Sequence, residues 1–102
     1  MTSLFTPYKP KSNEEKALAE AFAKVQTTQE SLNLLRDLLT PKELEEFGRR
    51  FEIAKLLETT DMSYEAIAKK MKTSTTTVTR VALWLNNGSG GYKKALERLE
   101  KV

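Results

Sequence analysis

Apolar residues recur three and four apart along most of the chain, the spacing of one face of an α-helix. Ala17, Leu18, Ala21, Phe22 and Val25 form a first stripe, and Leu32, Leu35, Leu38 and Leu39 a second. Leu44, Phe47, Phe51 and Ala54 form a third, and Tyr64, Ile67, Ala68 and Met71 a fourth. Val78, Val81, Ala82 and Leu85 make a fifth, and Tyr92, Ala95, Leu96 and Leu99 a sixth. No stretch alternates with the period of a strand. The pattern predicts an all-α fold of six helices.

The polar residues between the stripes mark where helices begin and end. "SNEE" (Ser12, Glu15), "TTQE" (Thr27, Glu30) and "TPKE" (Thr40, Glu43) place a hydroxyl at the N-cap and a carboxylate three residues on. That is the capping box, which satisfies amide groups the helix itself leaves unpaired. Pro41 fits the first helical position, where its missing N–H costs nothing. Ser63 and Ser74 start the fourth and fifth helices, and "NNGSGG" ends the fifth, with Gly88 expected in a left-handed conformation after the helix. The first eleven residues, with two prolines, read as a flexible arm ahead of a single domain over 12–102.

The third helix, about 41–58, is apolar beyond one stripe, because Ile53, Leu56 and Leu57 cover much of its remaining girth. A helix apolar nearly all round has to be covered nearly all round. Short helices in a chain of 102 residues can hardly do this alone, so the pattern predicts a homodimer centred near this helix.

Composition narrows the class. The chain is 39% apolar and 30% charged, and it has neither cysteine nor histidine. Disulfides, thiolate metal sites and the commonest general base are excluded, which leaves little room for an enzyme. No cofactor is expected. No apolar run nears the ~20 residues that cross a bilayer, and the first residues lack the apolar core of a secretory signal, so a cytoplasmic protein is expected. The net charge is +3, unevenly spread. Residues 1–40 are neutral and 41–61 carry −2, whereas 62–102 hold eight basic side chains against three acidic, a net of +5. A polyanion would find its contacts there, although lysines also merely solvate helices.

That basic end includes a stretch with the layout of a helix-turn-helix, about 63–86. Ile67 and Met71 are spaced to pack on Val78 and Leu85, holding two helices at a steep angle across a short turn. Ser74 caps the second helix, and the amides behind it suit a phosphate. Thr75, Thr76, Thr79 and Arg80 then lie on the outer side. Threonine bonds phosphates or touches thymine methyls, and arginine bonds phosphates or guanine. Threonine is also a mediocre helix former, so helix stability explains the cluster poorly. A plain solvated face is the alternative. Lys69, Lys70 and Lys72 would add phosphate attraction. Lys72 falls where such turns commonly need a left-handed glycine, at a cost of about 1 kcal/mol.

The run "LTPKELEEFGRRFEIAKLLETTDMSYEAIAKKMKTSTTTVTR" resembles the Trp repressor superfamily, closely over 39–80 and loosely over the six-helix layout. The tail "NNGSGGYKKALER" is most similar to the YerC/YecD-type branch. The resemblance implies an intertwined all-α homodimer that binds pseudo-palindromic double-stranded operator DNA through two reading heads. In tryptophan-responsive members two arginines sandwich the corepressor; Arg50 and Arg80 match them, and Thr40 and Thr77 match other pocket positions. Two departures set this chain apart. The position after the second arginine is small in those members and is Val81 here. The residue four beyond that arginine is a small hydroxyl there and is Trp84 here. The resemblance therefore implies a vestigial corepressor pocket of Thr40, Arg50, Thr77, Arg80, Val81 and Trp84, unresponsive to L-tryptophan; any other small-molecule effector is undetermined. Trp84 reads as a filler, as a contact with the partner chain, or as plain packing. Arg50 also reads structurally, as an ion-pair partner of Glu46 one turn earlier.

The rival class is a helical dimer whose basic face binds an acidic protein. RNA is less well served, since no aromatic platform for stacking bases is evident.

Overall fold

The computed structural model describes residues 5–100. Residues 1–4 of the expected arm and residues 101–102, which the sequence pattern assigns to the sixth helix, lie outside them. Six helices run in order among the described residues: α1 (Asn13–Ala23), α2 (Thr28–Leu38), α3 (Pro41–Thr59), α4 (Tyr64–Lys70), α5 (Thr75–Asn87) and α6 (Gly91–Glu100). The chain belongs to the all-α class, as its periodicity predicts. No described helix is long and apolar enough to cross a membrane.

Helix starts follow the caps. Ser12, Thr27 and Thr40 each accept the amide of the residue three on, at 3.1 Å. Only the third box is reciprocal: Glu43 accepts the Thr40 amide at 2.9 Å. Glu15 and Glu30 reach one residue further back, to the amides of Lys11 and Gln26. Ser63 and Ser74 cap α4 and α5 in the same way.

Two compact units divide the chain. In the unit Tyr8–Glu46, α1 and α2 carry no buried residue, and Leu18, Phe22, Leu32 and Leu38 are exposed. The Tyr8 hydroxyl donates to Glu15 at 2.9 Å, and this bond to a carboxylate raises the Tyr8 pKa above its ordinary value.

The other unit runs from Phe47 onward and includes the segment ending at Pro7. Its core joins Ile53, Ala54 and Leu56 of α3 with Ile67 and Ala68 of α4, Val78, Val81 and Leu85 of α5, and Leu96 of α6. Ile53, Ile67 and Val78 are fully buried. Lys93 on α6 pairs with Glu58 on α3 at 2.7 Å, both side chains about one-third exposed. Tyr64, Ala95 and Leu99, expected to face inward, stand exposed. Phe5 is half-buried, with its ring against the close-approach side of Gly90.

The glycine segment after α5 differs from expectation. Gly88 has φ −86°, and the left-handed residue is Gly90 at φ 86°. Gly88 is needed for space instead: a Cβ there would come within 2.4 Å of the Trp84 carbonyl oxygen. Its amide donates to that oxygen at 3.0 Å, so the chain hugs the end of its own helix.

Candidate nucleic-acid interface

Helices α4 and α5 are joined by residues 71–74 and locked by the buried Ile67, Ala68, Val78 and Leu85, with Met71 packed alongside. The turn closes by two bonds past the end of α4. The Thr73 amide donates to the Ala68 carbonyl at 2.9 Å, and the Lys72 amide to Lys69 at 3.3 Å. This pairing is a Schellman motif, which requires a left-handed residue between the helix and the outgoing chain. Lys72 fills that position at φ 55°. A branched side chain would fare worse there; glycine would fare better.

This geometry sets the face of α5 that meets solvent. Val78, Val81, Ala82 and Leu85 are buried, while Thr75, Thr76, Thr79 and Arg80 are exposed. Lys69, Lys70 and Lys72 are exposed beside the turn. The first two also sit in the last turn of α4, where a cation favours the negative end of the helix dipole. Ser74 is committed to its cap: Oγ accepts the Thr77 amide and lies 3.1 Å from Thr77 Oγ1. Thr79 Oγ1 donates to the Thr75 carbonyl at 2.9 Å. Leu83, unnoticed in the apolar stripes because it falls outside them, is 53% exposed on the same face.

The residues of the expected corepressor-like pocket have separate employments. Thr40 caps α3, and Thr77 is bonded to Ser74. The Arg50 guanidinium carbon lies 5.6 Å from the centre of the Phe47 ring, a cation–π distance. Val81 is buried in the core. Trp84 is 60% exposed, and its ring carbon Cε3 lies 3.2 Å from where a Gly88 Cβ would stand. The indole thus turns along the helix toward its C-terminus. There it lines a cleft of about 460 Å³ with Phe51, Gly88, Ser89, Gly91 and Tyr92. The Phe51 and Tyr92 rings meet at 6.2 Å. Neither Arg50 nor Arg80 lines this cleft.

The family model described as Trp repressor protein matches residues 13–100, nearly the whole chain. This chain belongs to the Trp repressor superfamily. YerC, an uncharacterized protein of Bacillus subtilis (strain 168), is 31% identical over 74 residues, which are 72% of this chain and 70% of YerC. A TrpR-like protein from Eubacterium eligens ATCC 27750 has a solved structure that matches with a TM-score of 0.79 at 33% identity. The match covers 88% of this chain and 92% of that one. Within the superfamily the chain falls in the YerC-type branch. The Trp repressor family is one of regulatory DNA-binding proteins, not of enzymes.

Proposed function

We propose that this protein is a sequence-specific, double-stranded DNA-binding transcriptional regulator that acts as a homodimer in the cytoplasm. The observation that carries the reading is the α4–α5 pair. Buried Ile67 and Val78 and the left-handed Lys72 hold α5 so that Thr75, Thr76, Thr79 and Arg80 face solvent together. Those side chains read base edges and phosphates in the major groove. The capped start of α5 at Ser74 meets a phosphate, and Lys69, Lys70 and Lys72 attract the backbone. The name of the matching family supports repression as the outcome.

The girth of α3 no longer calls for a second copy, because α4, α5 and α6 of the same chain cover Ile53 and Leu56; the dimer rests instead on exposed apolar surface. Leu18, Phe22, Leu32, Leu38 and Phe47 are each more than one-third exposed, too many for helices with no further cover. A second copy of the chain covers them and pairs two reading heads, whose half-sites lie about one helical turn of DNA, roughly 34 Å, apart. L-tryptophan plays no part in this scheme: Val81 belongs to the core, and Trp84 replaces the small hydroxyl of the responsive members.

A mobility shift with generic duplex DNA at two salt concentrations tests the reading. Binding that weakens steeply with salt is expected. No shift at either concentration refutes it and favours the acidic-protein partner. Sedimentation at micromolar protein tests the dimer, and a folded monomer there contradicts it.

A further inference from the structure

The hydroxyl groups of α5 are not equally available. A threonine hydroxyl carries one proton to donate. That of Thr79 goes to the Thr75 carbonyl at 2.9 Å. DNA phosphate oxygens only accept, so a phosphate gains nothing from Thr79 unless this bond is given up. With Oγ1 turned back along the helix, the methyl group is what the exposed side chain offers outward. The next residue along that edge, one turn on, is Leu83, whose 53% exposure is otherwise odd on a polar face. Thr79 and Leu83 therefore make an apolar strip bordered by Thr76 and Arg80. Among the base edges in the major groove the one apolar feature is the C5-methyl group of thymine.

Resting on the DNA reading above, we infer that Thr79 is a specificity-determining residue. Its methyl group, shielded from water on one side by Leu83, packs on the 5-methyl group of one thymine in each half-site. Thr79 contributes no phosphate bond.

The test compares thymine with 2′-deoxyuridine, which lacks only that methyl group. Duplexes selected from a random library by the full-length protein supply the preferred site. Each thymine in it is then replaced singly, and the uracil penalty, the ratio of the two Kd values, is measured for three proteins. Because each ratio is taken within one protein, general changes in affinity or folding cancel. The parent is expected to show a penalty of about fourfold at one position per half-site, the worth of one buried methyl group. Thr79→Val, which keeps the methyl and loses the hydroxyl, keeps that penalty. Thr79→Ser, which keeps the hydroxyl and loses the methyl, brings it to about one. The inference is overturned if uracil is tolerated everywhere, if Thr79→Val abolishes the penalty, or if Thr79→Ser retains it. Selection of no duplex at all overturns the DNA reading, and this inference falls with it. Selection of a site without the coupling overturns this inference alone.

Discussion

Lys72 carries a long side chain on a left-handed backbone, a conformation that costs a non-glycine residue about 1 kcal/mol. Lys72→Gly is therefore expected to raise the denaturation midpoint by up to about 1 kcal/mol in stability, while removing one phosphate-attracting charge. An unchanged or lower midpoint would show the strain to be relieved elsewhere. Gly88→Ala goes the other way. Its Cβ would meet the Trp84 carbonyl at 2.4 Å, an overpacking that costs about 1–3 kcal/mol and should lower the same midpoint. The two positions differ in how far sequence alone reaches. The strain at Lys72 is legible because the turn length of a helix-turn-helix fixes which residue is left-handed. The need at Gly88 is not legible, since it depends on the chain folding back against its own helix. Trp84 is similar: its place on α5 follows from the sequence, but only the fold shows the ring turned toward Gly88.

Helix starts are the most legible elements, because a cap is chemistry between residues three apart. Ser12, Thr27, Thr40, Ser63 and Ser74 all act as anticipated. Facing is less legible. A 3.6-residue period locates a stripe but not the width that neighbouring helices cover, which is why Tyr64, Ala95 and Leu99 lie outside the core while Leu96 lies within it. The cap on α5 gives a prediction at this scale. Ser74→Ala removes the acceptor of the Thr77 amide and the partner of the Thr77 hydroxyl. It is expected to cost about 1 kcal/mol in a chemical denaturation, and to fray the first turn of α5. Protection of the Thr77 amide against hydrogen exchange should fall with it; full protection would mean the cap contributes nothing.

At the scale of the molecule, the six-helix layout and the superfamily were legible because "LTP", "G-R-R" and "T-V-T-R" keep their separations along one chain. The pocket was less so, since a match made residue by residue says nothing of how each side chain packs. Val81 sits in the core, and Trp84 joins Phe51 and Tyr92 in a different cleft. On the proposal that Val81 and Trp84 leave no room for a corepressor, calorimetric titration with millimolar L-tryptophan should show no binding and no gain in DNA affinity. A stoichiometric, affinity-raising signal would mean that Val81 and Trp84 leave the corepressor site open.

If the exposed edge of α5 reads DNA as proposed, Arg80 is the side chain whose loss should matter, being exposed, charged and outside the core. The decisive measurement is the Kd of Arg80→Ala for a selected duplex, by fluorescence anisotropy, alongside its denaturation midpoint. A loss of about 1–3 kcal/mol in specific binding with an unchanged midpoint is expected. Parental affinity in a fully folded Arg80→Ala would contradict that reading.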